Sequence, residues 1–143
     1  MKLISKSIAF GLILAAGIAA AQDATNPAVI ARKDLMKSNG MAIKVLGDMA
    51  GGKSAFDAAA AAAAAAQLAT NGADIAAKFK ANEADPASKA SPDVWTNWDD
   101  FVAKSDALAA AAKAMDSSTV EGVQAGLAGI GGACKGCHTS YRL

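Results

Sequence analysis

The C-terminal end of the chain carries a short motif that concentrates its thiol and imidazole groups. Cys134 and Cys137 are the two cysteines of the 143-residue sequence, and His138 is its one histidine. The spacing C-x-x-C-H is typical of c-type haem attachment, because two thiols can add to the vinyl groups of one haem and the next imidazole can ligate its iron. The motif therefore predicts one covalent haem c, attached at both cysteines and ligated through His138.

Two other kinds of site would use part of this motif. A redox-active dithiol is typical of a thioredoxin-like βαβ context, and no segment shows the period-two pattern of a strand. A structural zinc site needs four ligands, whereas the sulfur and imidazole groups number three. Haem attachment is the favoured interpretation, and a disulfide or dithiol remains the alternative.

Residues 1–21 have the pattern of a secretory signal peptide. Two lysines precede an apolar run at residues 8–18, and three alanines offer a cleavage site before Gln22. The run is shorter than the roughly 20 apolar residues of a membrane span, although an uncleaved N-terminal anchor is an alternative. We therefore expect one domain at residues 22–143, located in the periplasm and without stable membrane insertion after cleavage.

The composition of residues 22–143 favours helices but provides few large apolar side chains for a hydrophobic core. Leu, Ile, Val and Phe make up 19 of these 122 residues, and alanine, which forms helices well but buries little area, is abundant. Basic and acidic residues number 12 and 13, so nothing in the charge indicates nucleic-acid binding. A large apolar prosthetic group would supply the missing core.

The apolar periodicity is helical throughout and predicts four helices. Because haem sites are built between the facing helices of such bundles, we expect an all-α, antiparallel four-helix bundle with covalently bound haem c. The predicted helices run from Asn26-Pro27 to Gly51, from Ser54 to Thr70 and from Pro92 to Met115. Asn71-Gly72 is expected to break or kink the second helix, with a further piece at 74–80. The last helix is expected to run from Thr119 to Tyr141, after a capping box at Ser118-x-x-Glu121.

Three local features carry further expectations. The nine alanines at residues 58–66 show no amphipathic face, so we expect a helix that tolerates exposure. Gly131 and Gly132 lie within the last helix, where we expect them to allow close approach of haem or of a neighbouring helix. The two cysteines and His138 share one face of that helix and can address one haem edge.

Three stretches resemble the class II cytochromes c, the cytochrome c′ family. They are residues 32–37 in the first helix, Pro92-Asp93-Val94-Trp95 at the start of the third, and the haem motif followed by Tyr141-Arg142. The resemblance spans nearly all of residues 22–143. It implies a monohaem electron carrier rather than an enzyme, with periplasmic redox proteins as partners and with homodimers in some members.

The resemblance also places Met36 at the distal haem position. Family members with a methionine ligand there are low-spin electron carriers, whereas five-coordinate members bind nitric oxide or carbon monoxide. Met36 therefore either ligates the iron or only packs, and Met41, Met49 and Met115 are weaker candidates. By the same resemblance Arg32 and Arg142 lie beside the haem and pair with a propionate; the alternative is that they are surface arginines.

Overall fold

The computed structural model of the protein describes residues 23–143, and within that range it is entirely helical. The four long helices form an antiparallel four-helix bundle, which confirms the predicted fold class. None of the helices in this range is long and apolar enough to cross a membrane. The predicted signal peptide at residues 1–21 lies outside the described residues. The helices are α1 (Pro27–Ala50), α2 (Ala58–Phe79), α3 (Asp93–Thr96), α4 (Trp98–Lys113) and α5 (Val120–Tyr141).

Helix α1 begins and ends where the sequence predicts. The Asn26 side chain caps it by accepting hydrogen bonds from the backbone N–H groups of Ala28 and Val29, and Pro27 occupies the first turn. The helix ends before Gly51, and Gly52 has a positive φ of 68°. The chain therefore leaves α1 through a glycine turn.

Helix α2 continues through Asn71-Gly72, so the predicted break is wrong. The Asn71 side chain is buried and hydrogen-bonded to α1 instead of competing for its own backbone. Gly72 lies against α4, where an added Cβ would come within 2.7 Å of the Ala109 nitrogen. This glycine therefore serves close helix packing, not a turn.

The alanine run at the start of α2 has a buried face, contrary to the expectation of an exposure-tolerant helix. Ala61, Ala64 and Ala65 are 0%, 8% and 6% exposed and continue into buried Leu68. Their spacing is that of one helix face. The small side chains let α2 approach its neighbours closely. A run of identical residues has no hydrophobic periodicity, so the sequence could not show which of these alanines are buried.

The third predicted helix is interrupted at Asn97, which separates α3 from α4. Asn97 leaves the helical region, with φ −118° and ψ 46°, as its low helix propensity allows. Its N–H still donates to the Asp93 carbonyl, and its carbonyl accepts from the Phe101 N–H. The break therefore costs little backbone hydrogen bonding.

Helix α5 begins one residue later than predicted, at Val120. Thr119 is its N-cap and accepts from the Gly122 N–H at 3.0 Å, while Ser118 bonds to Asp116. A Cβ at Gly131 or Gly132 would meet no atom of another helix within 4 Å among residues 23–143. None of the described helices therefore explains these two glycines.

The segment between α2 and α3 is tied to both ends of the described chain. Asp85 accepts from the backbone N–H groups of Thr25 and Asn26, at 2.8 and 2.9 Å. At the other end, the Ser91 N–H donates to the Tyr141 carbonyl and the Leu143 N–H to the Lys89 carbonyl. The segment is thus held along the end of the bundle that carries the C-x-x-C-H motif.

Candidate haem site

A cavity of 530 Å³ opens at that end of the bundle. Most of its wall is apolar, and its size falls within the usual range of small-molecule and cofactor sites. It contains all six residues that the sequence and the resemblance single out. The cavity lining includes Arg32, Met36, Cys134, Cys137, His138 and Arg142.

The two thiols face the cavity from successive turns of α5. Cys134 and Cys137 are half-buried, and burial raises the pKa of both thiols. Neither is in a disulfide. Within residues 23–143 no group of three or more His, Cys, Asp and Glu side chains could hold a metal ion by itself, which disfavours the zinc alternative.

His138 lies at the mouth of the cavity with its side chain still exposed. Desolvation by the surrounding protein lowers the pKa of the imidazole, and the positive charge of Arg142 lowers it further. Both effects favour the neutral imidazole, which is the form that can bind a metal.

Met36 reaches the same cavity from α1. It is partly buried and packs against the core, and its sulfur lies 4.0 Å from the Asn39 side-chain nitrogen. Met41 is 57% exposed, whereas Met49 and Met115 are buried in the core, and none of the three lines the cavity. Met36 is therefore the one methionine among residues 23–143 placed to face a cofactor held by α5.

Arg32 is buried to 3% exposure and holds the end of α2. Its Nε donates to the Lys78 carbonyl at 3.1 Å, and its two terminal nitrogens donate to the carbonyls of Glu83 and Ala81. The guanidinium also lies about 5 Å from two aromatic rings, those of Phe79 and Trp95. The alternative of a surface arginine is therefore wrong for Arg32. A haem propionate, if it pairs with Arg32, would share a guanidinium that already has three backbone partners.

An aromatic cluster closes the inner end of the cavity. The Phe101 ring lies 5.2 Å from both Phe79 and Tyr141, the latter edge to face. The Tyr141 hydroxyl donates to Asp100 at 2.5 Å, and this bond raises the pKa of the phenol to about 12. Tyr141 therefore stays neutral and fixes the last turn of α5, which carries His138.

Among residues 23–143, the charged side chains that line the cavity are all positive, and no Asp or Glu lines it. Asp100 lies behind the wall, 3.7 Å from the Lys104 ammonium. We use the term basic rim for Lys33, Lys37, Lys89, Lys104 and Arg142. These residues come from α1, the α2–α3 segment, α4 and the chain end, so the sequence gives no local sign that they converge.

The residues present fit a haem c. The cavity is apolar and open at one side, two thiols and an imidazole line one helix face, and a thioether lies on another helix. A macrocycle provides four equatorial nitrogens of its own, so the protein needs to supply only axial ligands. Sequence analysis found these groups but missed two others, the buried Asn39–Asn71 pair and the basic rim, because both are formed by residues far apart in the chain.

Fold and site together define a monohaem c-type cytochrome. The sequence profile described as Cytochrome C′ matches residues 27–142, and the chain belongs to the cytochrome c′ family. This family binds one covalent haem c, and the predicted cofactor is confirmed at that level.

The similar proteins include ones named cytochrome c-556 and ones named cytochrome c′. Cytochrome c-556 of Agrobacterium fabrum is 32% identical over 146 residues, covering 100% of this chain and 96% of the relative. The solved cytochrome c′ of Rhodopseudomonas palustris is 28% identical with a TM-score of 0.75, covering 83% of this chain and 98% of that one. A variant of cytochrome c prime from Alcaligenes xylosoxidans, solved as a nitric oxide complex, is 26% identical with a TM-score of 0.63, covering 80% and 93%.

Proposed function

We propose that this protein is an exported electron carrier in which haem c is attached through Cys134 and Cys137. His138 and Met36 are the axial ligands of its iron. The observation that carries the proposal is that α5 brings both thiols and the imidazole, and α1 brings the thioether, to the same apolar cavity. The haem supplies a one-electron couple, and the protein supplies attachment, ligands and a low-dielectric surrounding.

The attachment is tested by removing the thiols. The double variant Cys134→Ala, Cys137→Ala is expected to carry no covalent haem, since no other cysteine exists in the chain. Haem staining after denaturing electrophoresis measures this directly. Haem that still migrates with the double variant would contradict the assignment.

The axial thioether is tested by Met36→Leu, which keeps the apolar volume and removes the sulfur. Ligation by Met36 predicts low-spin iron in the parent, with the weak sulfur-to-iron charge-transfer band of oxidised methionine-ligated haem. The variant is expected to lose that band, become high-spin and bind carbon monoxide readily when reduced. Met49→Leu is the matched control, because Met49 is buried but does not line the cavity.

The second candidate function is the binding of nitric oxide or carbon monoxide at a five-coordinate iron. The similarity to a cytochrome c prime solved with nitric oxide favours it, as does the packing of Met36 against the core. High-spin iron in the unmodified protein, unchanged by Met36→Leu, would put this function first.

The basic rim supports the proposal that the redox partner docks through an acidic surface. Five cationic side chains and no carboxylate of residues 23–143 line the cavity. Electrostatic complementarity with an acidic surface speeds encounter more than it tightens binding. Electron exchange with such a partner is expected to slow as salt is raised. Lys33→Glu should slow it further, whereas Lys113→Glu, on α4 away from the cavity, should not.

Export and self-association complete the proposal. Cleavage after residue 21 predicts a periplasmic protein whose mass corresponds to residues 22–143 plus one haem.

The partly exposed Ile30, Met41 and Val45 on α1 favour a homodimer through that helix. Sedimentation of Met41→Lys beside the parent protein tests it, since the dimer should weaken.

A further inference from the structure

Two buried side-chain amides join α1 to α2 beside the cavity. Asn39 and Asn71 are 6% and 4% exposed, and Asn71 Nδ2 donates to Asn39 Oδ1 at 2.8 Å. Gln67 Nε2 donates to Asn71 Oδ1, also at 2.8 Å. Because the oxygen of Asn71 already accepts from α2, its nitrogen is the group that faces α1.

This bond fixes the orientation of the Asn39 amide. Since Oδ1 of Asn39 accepts from Asn71, its Nδ2 points the other way, to 4.0 Å from the Met36 sulfur. Met36 and Asn39 are three residues apart on α1 and both line the cavity. The amide network therefore runs from α2 to the thioether and ends there.

We propose that Asn39 is a positioning residue for the axial methionine. Its N–H engages one lone pair of the Met36 sulfur and leaves the other directed to the cavity, while Asn71 keeps the amide from turning. The inference rests on the proposed ligation by Met36. Donation to the sulfur also withdraws electron density, so the ligand favours the reduced iron and raises the reduction potential.

The test is Asn39→Leu in the holo-protein, a change that roughly keeps the side-chain volume. Asn71 Nδ2 keeps a partner in this variant, since it also donates to the Ser38 hydroxyl at 3.0 Å. Imidazole competes with Met36 for the iron, and its apparent affinity is expected to rise about two- to threefold, the effect of losing one weak hydrogen bond to a thioether sulfur. The charge-transfer band should shift and the potential should fall.

Asn71→Leu is the matched control. It removes the same bond between α1 and α2 and should cost at least as much thermal stability as Asn39→Leu. It leaves the Asn39 amide beside the sulfur but free to turn, so the rise in imidazole affinity should be clearly smaller than in Asn39→Leu. A purely structural role would change the melting temperature of both variants and the spectrum of neither.

The outcomes separate the two proposals. Absence of the charge-transfer band in the parent protein would overturn methionine ligation and this inference with it. A band in the parent that Asn39→Leu leaves unaltered, with unchanged imidazole affinity, would overturn the inference alone. Equal changes in both variants would also overturn it, because helix spacing rather than the amide would then control the ligand.

Discussion

Arg32 shows how one residue connects the cavity to the bundle. The last carbonyls of a helix have no partner within it and carry the negative end of the helix dipole. The guanidinium of Arg32 meets this need at the end of α2, donating to the Lys78 carbonyl and to two carbonyls beyond it. It also lies about 5 Å from the rings of Phe79 and Trp95. Burial lowers its pKa, but an arginine remains charged. Its main role is therefore to hold the α2–α3 segment in place.

Arg32→Lys tests this role while keeping the positive charge. A lysine ammonium cannot reproduce the planar fork that reaches three carbonyls, so the free energy of unfolding should fall by about 1–3 kcal/mol. Chemical denaturation of the holo-protein measures the change. Lys33→Ala, next to it but exposed, should alter stability by less than about 0.5 kcal/mol. Equal effects of the two substitutions would show that the fork does not hold the segment.

Two glycines on different helices of the bundle differ in how closely a neighbouring helix packs against them. Helices α2 and α4 meet at Gly72, where a Cβ would lie 2.7 Å from the nitrogen and 3.0 Å from the Cα of Ala109. These are backbone atoms and cannot move without shifting α4. Gly131 on α5 has open space instead. Glycine is therefore needed for close helix packing at position 72, whereas none of the described helices requires a glycine at position 131.

Paired substitutions separate these roles. Gly72→Ala should destabilise the holo-protein by about 1–3 kcal/mol through overpacking. Gly131→Ala should be neutral or stabilising by about 0.5–1 kcal/mol, since alanine is the better helix former. Thermal unfolding of both proteins checks the signs. A loss at Gly131 would indicate that the haem, rather than any helix, needs the space there.

The sequence predicts those elements whose determinants are local. Asn26, Pro27 and Gly51 define α1 through caps and turn geometry, and the C-x-x-C-H spacing alone places three site residues on one helix face. The continuity of α2 could not be predicted, because Asn71 is satisfied by Asn39, 32 residues earlier in the chain. The role of Arg32 depends likewise on carbonyls 46 to 51 residues away.

At the scale of the whole molecule, the core surrounds a cavity and contains many small side chains. Seven of the 21 buried apolar residues among residues 23–143 are alanines. Three of the largest core side chains near the site, those of Phe79, Phe101 and Tyr141, form part of the cavity wall. Without a cofactor the apolar wall of the open cavity would contact water, and the hydrophobic stabilisation of the bundle would be reduced accordingly.

The apo-protein is therefore expected to be helical but loosely packed. The double variant Cys134→Ala, Cys137→Ala, purified without haem, should keep most of its far-ultraviolet circular dichroism, lose its near-ultraviolet signal and bind a hydrophobic dye. Its thermal transition should be broad and lie well below that of the holo-protein. The single variant Cys134→Ala is the graded control, because one thioether and His138 can still hold the haem, and its transition should fall between the two. A sharp apo transition at the holo temperature would mean that the helices of residues 23–143 complete their core without the haem.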